Sequence, residues 1–217
     1  MTKHLWEALL RLLYPRHCPL CDARLTWNEE EICAPCAERT EPSLYRFPRG
    51  SAAFPYRGEI RESVHRFKYG GRAEYAAFYA SAILRACGTE IRAFRPEACL
   101  PVPIHPARFR ERGYDQSEEL ARHLAKGLRI PCLSRTVVRR KNTVPQNALG
   151  PEERRRNLAG AFAVRGNRRI PARVLLVDDI RTTGSTLAEL ERVVREHGAR
   201  DVYAACICLA RPEEDSL

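Results

Sequence analysis

The hydrophobic and polar positions along this chain predict strands and helices in alternation. Short apolar runs without polar alternation are typical of strands covered on both faces of a sheet, and the run from Val174 to Val177 is the clearest of them. Strands are predicted at 52–56, 98–103, 135–138, 161–164, 174–177 and 202–209. Helices are predicted at 59–67, 73–86, 117–128 and between Gly184 and Gly198, and Pro151 begins a further short helix. This alternation predicts an α/β fold, with a parallel sheet flanked by helices.

Two features subdivide this pattern. Pro55 favours an edge position for the strand at 52–56, because proline has no N–H for a neighbouring strand. Residues 40–50 contain two prolines and end in a glycine, without periodicity, and predict a linker. The predicted domains are therefore 1–45, with a helix and a cysteine module, and 51–217, with the sheet.

Residues 4–14 place leucines and Trp6 on one broad apolar face and predict an amphipathic helix. Packing against the rest of the protein is favoured, since the polar face has few basic residues; peripheral contact with a membrane surface stays open as the alternative. No segment approaches the roughly 18 apolar residues that cross a bilayer. Glu7 and Arg11 interrupt the first apolar residues, so we expect no signal peptide and a cytoplasmic protein.

The richest chemistry follows the run from Val174 to Val177, where Asp178 and Asp179 precede a short polar loop and a helix. Helix N-termini offer unpaired N–H groups to phosphate, and the loop adds hydroxyl donors, whereas ionised carboxylates accept hydrogen bonds from sugar hydroxyls. The predicted phosphate-binding residues are Arg181, Thr182, Thr183, Gly184, Ser185 and Thr186. Together these groups suit a ribose 5-phosphate. The alternative is an acidic turn that only caps the helix.

Positive charge is concentrated in one part of the chain. The net charge is +10, and residues 103–173 alone hold seventeen Lys and Arg against six Asp and Glu. Such a block fits a nucleic acid, an anionic membrane surface or a polyphosphate substrate, or is simply a solvated basic surface. Only three aromatic residues lie in this block, which counts against a stacking platform for single-stranded nucleic acid.

Three basic side chains are candidates to face a pyrophosphate. Arg108 and Arg112 follow the strand at 98–103, and ligands of open α/β sheets gather at the carboxyl ends of strands. Lys68 precedes two glycines at the end of a helix; an exposed lysine without a ligand is the alternative there. A polar, aperiodic stretch from residue 139 to 150 is a candidate active-site lid. Its candidate ligand-binding residues are Arg140, Lys141, Thr143 and Gln146.

The cysteines indicate a metal site. Cys18 and Cys21 form one C-x2-C pair and Cys33 and Cys36 another, which together supply four thiolates for a closed, structural zinc site. A redox role would be expected of one such pair near a βαβ unit, and His17 stands too close to Cys18 to replace a ligand. The other five cysteines lie in apolar surroundings and are expected in the core.

In this combination the chain resembles the ComF family of competence-associated, phosphoribosyltransferase-like proteins. The resemblance covers nearly the whole sequence. It rests on the cysteine pairs, residues 67–71, Pro101-Val102-Pro103, Arg108, residues 112–116, Arg140 with Thr143, Gln146 and Leu149, Arg156-Asn157, and residues 173–187.

The resemblance implies a type I phosphoribosyltransferase-like domain behind a small N-terminal zinc ribbon with four cysteine ligands. It implies binding of phosphoribosyl pyrophosphate (PRPP) with Mg²⁺, and a link to DNA uptake, natural transformation or use of external DNA. Asp178 and Asp179 would contact the ribose hydroxyls, Thr182 to Thr186 the 5-phosphate, and Arg108 the pyrophosphate. Asp115 departs from the family, which usually has asparagine there. Its charge would need a basic neighbour such as Arg112, or a metal ion.

Two functions fit these observations. One is an enzyme in which an acceptor displaces pyrophosphate from PRPP, with catalysis by positioning and by charge stabilisation. The other is a non-catalytic competence factor that binds nucleic acid, such as single-stranded DNA, or senses PRPP. Other DNA-uptake proteins are candidate partners of either. The sequence does not identify the acceptor.

Overall fold

The computed structural model describes residues 15–141 and 158–210. Within these residues, five strands form the main sheet in the order β1-β2-β7-β6-β3, and two more form a small separate sheet. The strands are β1 (Tyr45–Phe47), β2 (Gly50–Pro55), β3 (Ala98–Pro101), β4 (Val137–Arg139), β5 (Phe162–Val164), β6 (Arg173–Arg181) and β7 (Asp201–Leu209). β4 and β5 make up the small antiparallel sheet.

The main sheet is parallel except at one edge. β2, β7, β6 and β3 run parallel, and β1 pairs with β2 in the antiparallel direction. The predicted central strand is β6, in which Val174 to Val177 are at most 1% exposed. This burial on both faces explains why its sequence shows no polar alternation.

The part of the chain that the structure describes contains six helices. They are α1 (Ala34–Arg39), α2 (Gly58–Tyr69), α3 (Tyr75–Phe94), α4 (Pro106–Arg112), α5 (Gln116–Leu128) and α6 (Ser185–Glu196). Of these, α2, α3 and α5 pack on one face of the sheet and α6 on the other. Leu175 and Val177 of β6 share a buried cluster with apolar residues of α2, α3 and α5. Val174 and Leu176 point the other way, into a cluster with α6 and the β4–β5 sheet. The predicted fold class, a parallel sheet flanked by helices, is confirmed.

Two predictions at the start of the sheet were wrong. β2, which contains Pro55, is not an edge strand, because β1 pairs with its outer side. Pro55 is tolerated because it is the last residue of the strand. The predicted linker at 40–50 contains β1 and the first residue of β2. A three-residue strand has no periodicity that a sequence could reveal.

The segment after β3 also differs from the prediction. Arg108 and Arg112 lie on a short helix, α4, which was not among the predicted helices. His105 caps this helix by accepting a hydrogen bond from the Ala107 N–H, and Gly113 ends it in the left-handed conformation, at φ +80°.

Several predicted features lie outside the described residues. They are the amphipathic helix at 4–14, the short helix at Pro151, and the lid residues Thr143 and Gln146. In the described ranges, no helix has the length and apolar character required to span a membrane.

Candidate functional site

The candidate site lies where the parallel strands end. Asp178 and Asp179 are the sixth and seventh residues of β6, so they belong to the strand itself rather than to a tip beyond it. Successive side chains of a strand point to opposite faces. Asp179 therefore continues the face of Leu175 and Val177, and Asp178 the face of Leu176. The two adjacent carboxylates thus start from opposite faces of the strand, although the start of α5 contacts both of them.

Asp179 is fixed by two side chains from the helical layer. Lys68 Nζ, at the end of α2, lies 2.8 Å from Asp179 Oδ1, and Gln116 Nε2, at the start of α5, donates to Oδ2 at 2.8 Å. Burial by itself would lower the pKa of Lys68, but the Asp179 carboxylate holds it above its usual value. Asp179 is only 5% exposed, so the pair is desolvated and its geometry is well defined. Lys68 is thus a partner of Asp179, not an exposed lysine.

Neighbouring groups compensate the negative charge of Asp178 less well than that of Asp179. Its Oδ1 accepts from the Asp179 N–H at 2.9 Å and from Ser117 Oγ at 3.4 Å. Burial and the negative charge of Asp179 raise the pKa of Asp178 to about 7, although Lys68 and Arg139 act in the opposite direction. Near neutral pH, Asp178 is therefore present in both its protonated and its ionised form.

We expect this carboxyl group to make the protein less stable as the pH rises from 4 to 7. The folded state keeps the Asp178 proton up to about pH 7, whereas the ordinary value is 3.8. Between these values the folded state binds more protons than the unfolded state, so ionisation at higher pH favours unfolding. The loss between pH 5 and pH 8 should be on the order of 2 kcal/mol, measured by urea unfolding.

The measurement requires two variants. Asp178→Asn cannot ionise and should show a flatter pH profile than the wild type. Asp201→Asn removes an exposed carboxylate at the start of β7 and should keep the wild-type profile. An Asp178→Asn protein with the full wild-type slope would contradict the assignment of this titration to Asp178.

The predicted phosphate loop connects β6 to α6. Thr182 and Thr183 are exposed, and Thr183 Oγ1 lies 2.9 Å from Ser185 Oγ. Gly184 has φ +81°, and a Cβ there would lie 3.2 Å from Arg181 Nη2. Both the backbone conformation and the space therefore favour glycine at this turn. The loop therefore exposes Thr182 and Thr183 beside the N-terminus of α6, where the Ser185 N–H donates to Thr183 Oγ1 at 3.5 Å.

Arg181 connects this loop to β1. Its guanidinium carbon is 4.6 Å from the centroid of the Phe47 ring, on β1. Phe47, Arg181 and Gly184 line one side of an open cleft of about 400 Å³, which continues along α6. Nothing in the sequence links Phe47 to the loop, because β1 could not be predicted.

Basic side chains surround the two carboxylates. Arg112 Nη1 donates to Gln116 Oε1 at 2.8 Å, and its guanidinium lies over the Tyr69 ring at 4.7 Å. Arg139, at the end of β4, is a further candidate site residue. It begins the predicted lid stretch but was not among the residues of that stretch expected to bind a ligand. Its guanidinium lies over the Phe162 ring at 5.6 Å. Burial and the charge of Arg108 lower the pKa of Arg139, and the Asp178 carboxylate opposes this, so the three side chains are within electrostatic range of one another.

Asp115 has a structural explanation that needs neither Arg112 nor a metal ion. It is the N-cap of α5: Oδ1 accepts from the N–H groups of Ser117 and Glu118 at 3.0 and 3.1 Å, and Oδ2 accepts from the Ile104 N–H at 3.1 Å. Burial raises the pKa of Asp115 to about 6, and these three N–H groups act against the rise. The aspartate thus orders the start of α5, which carries Gln116 and Ser117 to the two site carboxylates.

Only part of the candidate lid is described. Arg140 follows β4, and its N–H donates to the Ala161 carbonyl at 2.8 Å. Lys141 Nζ donates to the Ala159 carbonyl at 2.6 Å. Both residues are exposed. A ligand-binding role for them stays a prediction.

The four predicted zinc ligands form one cluster at the N-terminal end of the described chain. The Sγ atoms of Cys18, Cys21, Cys33 and Cys36 all lie within 4.8 Å of one another, and those of Cys21 and Cys33 are 3.6 Å apart. Four thiolates at Zn–S distances of about 2.3 Å in a tetrahedron require separations of this size. The donor set therefore fits a structural zinc ion. His17 is not part of the cluster; its Nδ1 lies 3.0 Å from Arg72 Nη1.

Comparisons with known proteins cover both halves of this structure. The double zinc ribbon domain family matches residues 9–47. That range contains four cysteines, enough for one site with four thiolate ligands. A purine phosphoribosyltransferase from Pyrococcus horikoshii aligns with 18% identity and a TM-score of 0.39, over 61% of this chain and 73% of that one.

Two curated relatives are similar in sequence. Competence protein F of Haemophilus influenzae is 43% identical over 109 residues, which cover 49% of this chain and 48% of that protein. This chain thus spans about half the length of that relative. DNA utilization protein YhgH of Salmonella typhimurium is 30% identical over 231 residues, which cover 91% of this chain and 98% of that protein.

Proposed function

Since this chain belongs to the ComF family, we propose that it binds PRPP with Mg²⁺ at the carboxyl end of its sheet. It transfers the ribose 5-phosphate to an acceptor, in the cytoplasm, as part of DNA uptake or of the use of external DNA. The observation that carries the proposal is the arrangement of β6, its loop and α6. Two carboxylates near the end of β6 precede a loop with two exposed threonines and a helix N-terminus, so one site offers acceptors for a diol and donors for a phosphate.

Each group has a distinct task in this proposal. Asp178 and Asp179 accept hydrogen bonds from the ribose hydroxyls, and the loop from Thr182 to Thr186 holds the 5-phosphate. Arg108 and Arg112 face the pyrophosphate, and Arg139 lies close enough to Asp178 to join them. Mg²⁺ bound to the pyrophosphate would neutralise part of its charge.

The proposed reaction is a displacement at the C1 carbon of the ribose. The acceptor forms a new bond to C1 while the C1–O bond to pyrophosphate breaks, and the oxygen keeps the bonding electron pair. The proton of the acceptor is released. The side chains contribute by orienting PRPP and by stabilising the charge that develops on the leaving group.

Binding is tested by calorimetry with PRPP and Mg²⁺. We expect the wild type to bind PRPP, and the Asp178→Asn, Asp179→Asn double variant to lose at least about 100-fold in affinity, because two charged acceptors are removed. Asp201→Asn, whose carboxylate is exposed at the start of β7, is the control and should bind like the wild type. Equal affinities of the double variant and the wild type would overturn the proposed pocket.

Transfer is then tested by PRPP-dependent pyrophosphate release with bases, nucleotides and DNA fragments as acceptors.

A second function is favoured by the surface beside the site. Tyr69 is 49% exposed and Phe109 is 42% exposed, and both lie next to the arginines of α4. Tyr69 is outside the basic block of the sequence, so the count of aromatic residues in that block underestimated the available stacking surface. Exposed rings next to arginines suit single-stranded DNA. The affinity of the protein for single-stranded DNA should fall steeply as the salt concentration rises, and an affinity that does not change with salt would contradict this function.

A further inference from the structure

The zinc ribbon rests directly on the end of α2. Arg66, in the last turn of this helix, donates from Nη2 to the Leu20 carbonyl at 2.6 Å and to the Pro19 carbonyl at 3.2 Å. Pro19 and Leu20 lie between the first two cysteines of the zinc site. Leu20 is 2% exposed and belongs to the same buried cluster as Phe67 of α2.

A second set of contacts holds the connection between α2 and α3. Asp22, one residue after Cys21, accepts from Tyr75 Oη at 2.6 Å and lies 3.0 Å from Arg72 Nη2. The Asp22 N–H in turn donates to the Cys18 carbonyl at 2.9 Å. The loop from Cys18 to Asp22, the first cysteine loop, is thus attached to the segment from residue 66 to residue 75.

The same segment reaches the candidate site on its other side. Lys68 pairs with Asp179 at 2.8 Å. Tyr69 Oη accepts from Arg112 Nη2 at 3.1 Å, and the Phe67 carbonyl accepts from the Tyr114 hydroxyl. Arg66, which contacts the ribbon, and Lys68, which contacts the carboxylate, are therefore separated by one residue.

From these contacts we propose that Arg66 is a positioning residue through which the zinc-loaded ribbon holds Lys68 against Asp179, so that zinc and PRPP stabilise each other's binding. This inference rests on the proposed PRPP site. In this inference the ribbon increases the affinity for PRPP, an effect that neither the cysteine pattern nor the sequence of β6 and its loop predicts.

The physical basis is linkage between two sites through one element. Gly70 and Gly71 follow α2 directly, and Gly71 has φ +68°, so the backbone beyond Lys68 has little conformational restriction of its own. The carbonyls that Arg66 contacts keep their places only while the first cysteine loop is folded around the metal. A ligand that requires an ordered Lys68–Asp179 pair then binds more tightly when zinc is present, and zinc binds more tightly by the same factor when that ligand is present. We therefore expect the bound ligand to slow zinc loss to a chelator.

The test measures zinc loss to an excess of a chromogenic chelator, with and without PRPP and Mg²⁺. In the wild type we expect PRPP to slow zinc loss by about fivefold or more. In Arg66→Ala this effect should disappear, and Arg66→Lys, which retains one donor, should restore part of it. Calorimetry on the same proteins should show weaker PRPP binding for Arg66→Ala.

Two controls separate coupling from a general structural effect. Arg85→Ala removes another contact between the ribbon and α3, 3.6 Å from Glu31, but one remote from Lys68. It should keep the full PRPP effect on zinc loss. The Asp178→Asn, Asp179→Asn variant should show no PRPP effect, which excludes extraction of zinc by PRPP itself.

The outcomes distinguish this inference from the proposed function. PRPP binding without any change in the zinc-loss rate would overturn the inference and leave the PRPP site intact. An unchanged PRPP effect in Arg66→Ala would also overturn it, because Arg66 would then be only structural. Absence of PRPP binding by the wild type would overturn the proposed function and the inference together.

Discussion

Replacement of Lys68 by methionine is expected to lower the free energy of unfolding by about 3 kcal/mol, because it leaves the buried Asp179 carboxylate without its cation. Gln116 would remain as a hydrogen-bond donor, but one neutral amide does not compensate a desolvated charge. Urea unfolding of the zinc-loaded protein measures the change. PRPP binding should weaken as well, since an unpaired Asp179 takes up a proton or moves.

A double variant distinguishes loss of the ion pair from loss of packing. Lys68→Met with Asp179→Asn removes both charges, and the asparagine oxygen can still accept from Gln116. We expect this protein to recover most of the stability lost in Lys68→Met, but not the affinity for PRPP. If the double variant is as unstable as Lys68→Met, the loss comes from packing and not from an uncompensated charge.

Removal of the zinc site is expected to unfold the ribbon. The Cys18→Ser, Cys36→Ser double variant should retain no zinc, whereas the wild type should bind about one ion per chain. Structural zinc contributes on the order of 10 kcal/mol to the folding of small modules, and residues 15–40 have little core of their own. Zinc content and limited proteolysis measure the effect: cleavage should appear first within residues 15–40.

The matched control is a cysteine outside the cluster. Cys132 is half-buried and lies beside Ser134. Cys132→Ser should therefore keep one zinc ion and the protease resistance of the wild type. Resistance of the ribbon after loss of the metal would show that packing against α2 and α3 is sufficient to fold it.

The arrangement of the two aspartates gives them different properties. Asp179 faces the helical layer and is tied to Lys68 and Gln116, while Asp178 faces the β4–β5 side and has a pKa raised to about 7 by burial and by its neighbour. The two adjacent carboxylates therefore differ, at neutral pH, in how well neighbouring groups compensate their negative charge. In the proposed function, this difference makes PRPP affinity depend on pH through Asp178.

Some predictions failed although the sequence contained a usable signal. α4 begins at Pro106 and is followed by Gly113, which is the common order of proline at the start and glycine after the end of a helix. No helix was predicted at these residues, although both signals were present. Arg139 directly follows a predicted strand and begins the predicted lid stretch, so its position alone made it a candidate site residue.

The sequence by itself determined the features that depend on local pattern. Burial on both faces requires the uninterrupted apolar run of β6, a closed zinc site requires two close cysteine pairs, and the glycine turn before α6 requires a residue that tolerates φ +81°. Each of these constraints acts within a short stretch of chain, so a single sequence reveals it.

Only the tertiary structure decided which distant residues meet. The pairing of Lys68 with Asp179, the contact of Arg66 with the ribbon and the position of β1 outside β2 depend on how helices dock on a sheet and in what order its strands pair. No local pattern encodes these contacts, because their partners are far apart along the chain and become neighbours only when the two buried clusters form on either side of the sheet.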